Sequence, residues 1–227
     1  PGSRFEVTPL KVGQTLYLCS SLNDIVALDA ETGKQLWRYQ AHVDPMKVTT
    51  PTCRGVAYYK APNATGICAA RILTNTLDAR LIAVDAATGQ PCPDFGVNGE
   101  VSLLVGMGDV RPGYYYVSSA PTVVQGKVVM GGWVADNQST GEPSGVIRAY
   151  DAVTGKLAWA WDMGAPDRTG EPAPGEQYTR GTPNSWGPMS SDEALGLVYV
   201  PLGNPTPDYF GAWRRPFDDK YGSSVVA

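Results

Sequence analysis

Hydrophobic and polar residues alternate in three short segments of the chain, and each segment ends at the same turn. The segments are DIVALDA, RLIAVDA and GVIRAYDA, and their alternation is typical of a half-buried β-strand. Each runs into Asp-Ala-x-Thr-Gly, beginning at Asp29, Asp85 and Asp151. The aspartate can accept hydrogen bonds from nearby backbone N–H groups, and the glycine can take a positive φ. Each copy therefore predicts a turn that closes a hairpin.

Further strands are predicted on both sides of these turns. QLWRYQ and KLAWAWD follow the first and third turns, while TLYLCSS precedes the first copy and RILTNT the second. APTVV and KVVMGGW, joined by a Gln125-Gly126 turn, precede the third copy. The turns recur after 56 and 66 residues, from Asp29 to Asp85 and from Asp85 to Asp151. Four short strands recurring at more than about 40 residues predict the blades of a β-propeller, with an irregular β-sandwich as the alternative.

The C-terminal segment resembles the beginning of another repeat. GLVYVPLG at 196–203 predicts the inner strand of a blade, and SSVVA at 223–227 resembles NDIVA, which leads into the first turn. We therefore predict an all-β fold in which residues 1–227 form one partial propeller domain of about three to four blades, truncated at its C-terminus. Open sheet edges would allow two such chains to pair as a dimer.

Composition agrees with this prediction and excludes some partners. The 227 residues include 26 Gly and 19 Pro, and only 18% are charged, which favours strands and turns over long helices. The net charge of −4 provides no basic stripe, so nucleic acid is not expected as a partner. Hydrophobic runs are far shorter than the roughly 20 residues that span a bilayer.

The cysteines and the single histidine do not indicate a metal site. Four cysteines, at 19, 53, 68 and 92, fit no metal-binding spacing. Cys53 and Cys68 bracket a polar loop, where a disulfide would contribute about 3 kcal/mol; buried free thiols are the alternative. His42 lies in a polar loop and is expected at the surface, which argues against a histidine-ligated zinc or a histidine-based triad.

Two of the repeats match a longer pattern. Residues 27–37 and 149–159 both read Ala-x-Asp-x-x-Thr-Gly-Lys-x-x-Trp. The pattern resembles the tryptophan-docking motif of the eight-bladed quinoprotein dehydrogenases, which use pyrroloquinoline quinone (PQQ). The resemblance implies that this chain is about half of such a ring and that each tryptophan packs between neighbouring blades. Pro93 replaces the tryptophan in the middle copy, so we expect that junction to pack differently.

Two polar residues resemble those that bind the acidic edge of the quinone in this family. Arg54, in CRGVAY, is similar to the arginine that pairs with a PQQ carboxylate, since a guanidinium can donate two parallel hydrogen bonds to one carboxylate. Ser118, in SSAP, is similar to a hydroxyl donor to the same cofactor. Considered alone, Arg54 could be an ordinary surface arginine and Ser118 an ordinary loop serine.

The segment PNSW provides the most specific similarity. Its Trp186 lies 18 residues before Asn204, the offset at which the family has its cofactor-stacking tryptophan and metal-binding amide. The resemblance implies that the Trp186 indole lies beneath the quinone, although burial within a blade is the usual role of this residue type. Thr206 is similar to a site threonine of membrane-bound glucose dehydrogenases.

The resemblance also implies a metal site. Asp136, in MGGWVADN, takes the place of a carboxylate ligand, Asn204 that of an amide ligand, and Asn137 is an additional candidate. Oxygen ligands of this kind suit Ca²⁺ or Mg²⁺. An ordinary Asp-Asn turn is the alternative. In the family the metal polarises a quinone carbonyl while an aspartate base accepts the substrate's hydroxyl proton.

The resemblance extends from about residue 8 to 227 and is strongest to the glucose and quinate/shikimate dehydrogenases, through TPLKVG, TCRGV, SGVIR, NSW and TPD. It implies oxidation of a sugar or cyclitol hydroxyl at the periplasmic face of the inner membrane, with the anchor outside this chain and ubiquinone as electron acceptor. Thr50 stands where glucose-oxidising members have a histidine, which weakens glucose as substrate. The family's base and a lysine lie on later blades, so no catalytic residue is assigned and residues 1–227 alone are expected to be inactive.

Two other functions remain open. A non-catalytic scaffold propeller could carry the same turns, but it has no need to combine Arg54, Asp136, Trp186 and Asn204. A sugar-binding propeller of the lectin type would use exposed aromatic residues and no quinone. Function therefore depends on whether the fold brings these four side chains together.

Overall fold

The computed structural model describes residues 4–227, which form a series of antiparallel sheets in chain order. The first sheet has its four strands in sequential order: β1 (Leu10–Val12), β2 (Thr15–Cys19), β3 (Ile25–Asp29) and β4 (Gln35–Tyr39). The second sheet has the same order: β5 (Ala57–Lys60), β6 (Ala70–Asn75), β7 (Arg80–Asp85) and β8 (Glu100–Ser102). This repetition follows from the alternating segments and turns read in the sequence.

A small additional sheet accompanies the third sheet and is formed by one strand that precedes it and one strand from a connection within it. The small sheet pairs β9 (Tyr115–Tyr116) with β12 (Trp133–Val134). The main sheet consists of β10 (Thr122–Val124), β11 (Lys127–Met130), β13 (Ile147–Asp151) and β14 (Leu157–Trp161). The predicted Gln125-Gly126 turn joins β10 to β11, because Val124 pairs with Lys127.

A three-stranded sheet completes the described chain. It contains β15 (Ser190–Asp192), β16 (Leu197–Pro201) and β17 (Val225–Val226), with β16 in the middle. The connection between β16 and β17 includes a 3₁₀ turn at Gly211–Trp213 and helix α1 (Pro216–Tyr221); another 3₁₀ turn lies at Pro45–Lys47. Within residues 4–227, no helix has the length and apolar character needed to cross a membrane.

Three hydrophobic cores lie between consecutive sheets. The first joins sheets one and two through residues such as Ile25 and Ile82, and the second joins sheets two and three through residues such as Leu73 and Val128. The third joins sheets three and four, with Ile147 among its buried residues. Consecutive four-stranded sheets that share cores in this way are propeller blades, so the predicted all-β propeller architecture is confirmed.

The repeated turns have the predicted hydrogen bonds. The Asp29 carboxylate accepts from the backbone N–H groups of Glu31 and Thr32 and from the Thr32 hydroxyl, and Asp85 and Asp151 repeat this pattern. The following glycines all have a positive φ, between 69° and 73°. Each turn is therefore specified locally by its own five residues.

The junction between the first and second sheets is formed by Trp37 of the first sheet, which packs on the turn of the second sheet. Its indole Nε1 donates to the backbone oxygen of Ala86 at 3.2 Å. The ring lies against Gly89, where an added Cβ would be 2.5 Å from Trp37 Cε3. Only a residue without a side chain fits beneath this ring.

The junction between the second and third sheets, where Pro93 replaces the tryptophan, is formed by other groups. Phe95 lies against Gly155, and the Gly96 N–H donates to the Thr154 oxygen at 2.9 Å. Arg71 adds a bond of 2.8 Å from its Nη1 to the Val153 oxygen. The turn of the third sheet therefore receives an aromatic ring and hydrogen bonds without a tryptophan.

Gly89→Ala is expected to destabilise the chain more than Gly33→Ala. The two glycines occupy equivalent turns with φ of +73° and +72°, so both substitutions carry the same backbone strain of about 1 kcal/mol. Only Gly89 has a ring against it; open space surrounds Gly33. Displacing Trp37 should cost about 2 kcal/mol more. Thermal unfolding should show a clearly lower midpoint for Gly89→Ala; equal midpoints would contradict the packing role.

The sequence left a Cys53–Cys68 disulfide and free thiols as alternatives, and the structure contradicts both. The bonds are Cys19–Cys53 and Cys68–Cys92, and all four cysteines are paired. Cys53 precedes β5 and Cys68 precedes β6, but these strands are antiparallel, with Ala57 opposite Leu73 and Lys60 opposite Ala70. The two cysteines therefore lie at opposite ends of one hairpin. His42 is exposed, as predicted.

Candidate cofactor and metal site

Arg54 is held on both sides by neighbouring segments. Its backbone N–H donates to the Ser118 oxygen at 2.8 Å, and its backbone oxygen accepts from the Thr8 N–H at 2.9 Å. The guanidinium donates to the Ser118 hydroxyl through Nη1 and pairs with Glu6 through Nη2, at 3.1 Å from Oε2. These contacts fix the arginine side chain in place. Because the side chain remains 30% exposed, it is still accessible to a ligand.

Trp186 lies beside this arginine with its ring open to solvent. Arg54 Cζ is 5.7 Å from the ring centroid, and the residue is 48% exposed. The Ser119 hydroxyl donates to the Trp186 backbone oxygen at 2.6 Å, while Asn75 Nδ2 donates to the Ser119 oxygen at 3.0 Å. A half-exposed tryptophan with an anchored backbone offers a flat apolar surface next to a cation and a hydroxyl.

Asp136 forms a second group with two amides. Asn184 Nδ2 donates to Asp136 Oδ2, and Asn137 Nδ2 donates to Asp136 Oδ1, both at 3.4 Å. Burial raises the pKa of the Asp136 carboxyl; the bond from Asn184 lowers it, and repulsion from Asp208 adds to the increase. Within residues 4–227, no Lys or Arg forms an ion pair with Asp136. A bound cation would compensate this partly buried negative charge.

Asn184 connects Asp136 with the segment that carries Asn204. The Asn184 backbone oxygen accepts from the Gly203 N–H at 2.8 Å, and the Asn204 Oδ1 accepts from the Ser223 hydroxyl at 2.8 Å. The Asn184 Oδ1 and the Ser185 Oγ are buried and have no hydrogen-bond partner among the described residues. Buried polar atoms without partners are rare, and here they lie between the two groups of site residues.

Thr206 belongs to the Asp136 side of the site. Its hydroxyl donates to the Thr140 oxygen at 3.4 Å, and its N–H donates to the Gly181 oxygen at 3.1 Å. Its hydrogen bonds in the described chain include none to Arg54, Ser118 or Trp186. The structure therefore brings Arg54, Ser118 and Trp186 together, and residues 184–186 join them to the segments of Asp136, Asn204 and Thr206.

This donor set fits a flat, acidic cofactor and a hard cation. The guanidinium and hydroxyl can bind carboxylates, the indole can stack on an aromatic plane, and carboxylate and amide oxygens suit Ca²⁺ or Mg²⁺. Arg54 already pairs with Glu6, so a carboxylate ligand would have to share or displace that contact.

Sequence reasoning did not find three residues that shape the site. Asn184 lies two residues before Trp186 in PNSW, and Ser119 directly follows Ser118 in SSAP. Glu6 lies in no motif, and its pairing with Arg54 depends on the N-terminal segment returning to the site.

The fold and site together define a propeller domain in which an arginine, a hydroxyl and a half-exposed indole are joined through residues 184–186 to a carboxylate that accepts from two amides. A family model for the PQQ β-propeller domain of glucose, ethanol and alcohol dehydrogenases matches residues 1–227. The chain therefore belongs to the family of PQQ-dependent dehydrogenases.

Individual relatives agree with this membership. The glycerol dehydrogenase large subunit of Gluconobacter oxydans is 48% identical over 225 residues, which cover 98% of this chain and 30% of the relative. The quinate/shikimate dehydrogenase (quinone) of Acinetobacter baylyi is 42% identical over 244 residues, 100% of this chain and 30% of the relative. The structure of quinohemoprotein alcohol dehydrogenase ADHIIG from Pseudomonas putida matches with a TM-score of 0.67 at 28% identity, covering 90% of this chain and 29% of that protein. The chain thus spans less than a third of the length of these relatives.

Proposed function

We propose that this chain is part of a PQQ-dependent dehydrogenase that oxidises a hydroxyl group of a sugar, polyol or cyclitol. The observation that carries the proposal is the contact between Arg54, Ser118 and Trp186, together with the link to Asp136 through residues 184–186. These residues lie far apart in the sequence, and packing between blades brings them together. A scaffold propeller gains nothing from an exposed indole placed against an arginine.

Each residue of the first group has a distinct role in the proposal. Arg54 and Ser118 bind carboxylates at one edge of the cofactor, and Trp186 supports its plane. PQQ, when bound, would supply the two-electron oxidation. Ser119 holds the Trp186 backbone in position.

The second group would hold a Ca²⁺ or Mg²⁺ ion. Asp136 supplies the negative charge, and the amide oxygens of Asn204 and Asn137 are the further ligands that we propose. Thr206 fixes the segment that follows Asn204, through its bond to Thr140.

The catalytic base is proposed to lie outside this chain, as is a membrane anchor. By analogy with the family, the whole protein would act at the periplasmic face of the inner membrane and pass electrons to ubiquinone. Residues 1–227 alone should therefore show no dye-linked dehydrogenase turnover. Robust turnover by the purified chain would contradict this assignment.

A quinone-binding experiment tests the proposal. PQQ and Ca²⁺ are added to the full-length apoprotein, and binding is followed by quinone absorbance. Trp186→Ala should raise the Kd for PQQ about 5- to 150-fold, since stacking on an aromatic residue contributes about 1–3 kcal/mol. Trp213→Ala, which removes an indole that is 66% exposed, is the matched control and should leave the Kd unchanged. Equal affinities for the two variants, or no binding by the unmodified protein, would support a scaffold or lectin-like propeller.

The substrate requires a separate assay with the full-length holoenzyme. Dye reduction across glucose, quinate, shikimate and glycerol would assign the substrate within the proposed class. Because Thr50 replaces a histidine of the glucose-oxidising members, glucose should not be the preferred substrate.

We also propose that the isolated chain dimerises through its open sheets. Strands β1 and β15 each pair on one side only among the described residues. Such edges offer unpaired N–H and C=O groups to another strand. Light scattering of the isolated chain that shows only monomer would remove this proposal.

A further inference from the structure

A polar cavity of 360 Å³ lies beside the proposed metal site. Two loops, residues 109–114 and 138–143, form its walls, and Arg180 lies between them. The polar side chains in its lining include Asp109, Arg111, Tyr114, Gln138, Glu142 and Arg180. Its volume is near the lower end of the range for small-molecule sites.

Arg180 holds the two loops in place. Its Nε donates to the Gly141 oxygen at 2.7 Å, and its Nη1 donates to the oxygens of Met107 and Asp109, both at 3.1 Å. One guanidinium therefore binds the backbone of both walls. The cavity is formed before any ligand arrives, which reduces the entropy cost of binding.

The lining combines positive and negative groups that remain available to a ligand. Glu142 is only 5% exposed, and its carboxylate accepts a single bond, from the Ser139 hydroxyl at 2.9 Å, within residues 4–227. Arg111 lies over the Tyr114 ring, 5.6 Å from its centroid, and forms no ion pair in the described part of the chain. Together with Asp109 and Arg180, the lining has two guanidinium groups and two carboxylates, which sum to zero net charge.

The cavity shares its walls with the proposed site. Gln138 follows Asp136 by two residues, and the Ala135 N–H donates to the Tyr114 oxygen at 3.1 Å. The Gly181 N–H donates to the Glu142 backbone oxygen at 2.9 Å, and the Thr206 hydroxyl donates to the Thr140 backbone oxygen in the same loop. A molecule in the cavity would therefore contact the loop that carries the proposed metal ligands.

We propose that this cavity binds the hydroxyl groups of a neutral polyol, at the end distant from the hydroxyl that is oxidised. This inference rests on the proposed function and narrows its substrate class. A hydroxyl group can donate to a carboxylate and accept from a guanidinium at once, while the Tyr114 ring can cover the carbon chain. Because the charges of the lining sum to zero, a charged ligand such as quinate would lose hydration in the cavity without meeting a net opposite charge, whereas a neutral polyol has no such cost.

Binding to the full-length protein without PQQ tests the cavity directly. D-glucitol and quinate are titrated and followed by ligand-observed NMR. Arg111→Ala should raise the Kd for D-glucitol about tenfold, since one hydrogen bond to a charged group is lost. Arg111 is exposed, so this variant should fold; Glu142→Gln should have a similar effect. Lys11→Ala, an exposed cation in β1, is the control and should bind D-glucitol like the unmodified protein.

The outcomes separate this inference from the proposed function. A D-glucitol Kd within twofold of the unmodified protein for both cavity variants, or tighter binding of quinate, would overturn the inference. If the apoprotein binds D-glucitol in an Arg111-dependent way but never binds PQQ, only the proposed function fails. In the holoenzyme, Arg111→Ala should raise KM for the neutral polyol about tenfold and leave kcat unchanged.

Discussion

Asp136→Asn is expected to lower the Ca²⁺ affinity of the full-length protein about 100-fold in the presence of PQQ. Asp136 supplies the charge of the proposed metal site, and burial raises the pKa of its carboxyl because desolvation disfavours the charged form. Removing one partner of a desolvated charge pair typically costs about 3 kcal/mol, which corresponds to this loss. The asparagine keeps the size of the side chain and can still face Asn184. Ca²⁺ titration followed by quinone absorbance measures the effect.

Asp208→Asn is the matched control for this substitution. Asp208 is the neighbouring carboxylate whose charge helps to raise the pKa of Asp136, and its backbone N–H donates to the Asp136 backbone oxygen at 2.9 Å. Its backbone contact survives the substitution, so the Ca²⁺ affinity should change by less than about threefold. A larger loss for Asp208→Asn than for Asp136→Asn would move the metal assignment to Asp208.

Removing the Cys19–Cys53 disulfide with the double substitution Cys19→Ser and Cys53→Ser is expected to weaken PQQ binding about tenfold. Cys53 directly precedes Arg54, and the bond ties it to β2 in the first sheet. Without it, the segment before Arg54 would have to be ordered when the cofactor binds, at about 1–2 kcal/mol for each residue fixed. The Kd of the full-length apoprotein for PQQ, obtained by absorbance titration, measures the loss.

Removal of the second disulfide is the control, because it should lower the free energy of unfolding by a similar amount. The bonded residues are 34 apart for Cys19–Cys53 and 24 apart for Cys68–Cys92, so loss of either bond should cost about 3.5 kcal/mol by chain entropy. Cys68→Ser with Cys92→Ser should therefore lower the melting temperature to a similar extent and leave the Kd for PQQ unchanged. Equal Kd values for the two double variants would show that Arg54 does not depend on its neighbouring disulfide.

The elements that the sequence predicts well are those specified locally. The turns at Asp29, Asp85 and Asp151 depend on hydrogen bonds that span at most five residues, so their sequence pattern suffices. The hairpins on either side follow, because the alternating segments must pair across these turns. Pro93 correctly predicts that the second junction differs, but the use of Phe95 and Arg71 depends on the packing of two sheets.

The disulfides and the site contacts depend on distant pairing, which the sequence does not reveal. Cys53 and Cys68 are close in sequence, yet an antiparallel hairpin carries them to opposite ends. Glu6 reaches Arg54 only because the N-terminal segment runs beside residues 51–54. The resemblance predicts Arg54, Ser118 and Trp186 as site residues because family motifs contain them. The place of Asn184 in the site is evident only from its contact with Asp136 in the structure.

The segment of residues 184–186 has a thermodynamic consequence. Asn184 contacts Asp136 at one end, and Trp186 lies beside Arg54 at the other, so one short piece of backbone serves both ligand groups. A shift of this piece toward its productive position would prepare both sites together. Loading of the ion and loading of the quinone would then be positively cooperative, and reciprocity requires that each increase the affinity of the other by the same factor.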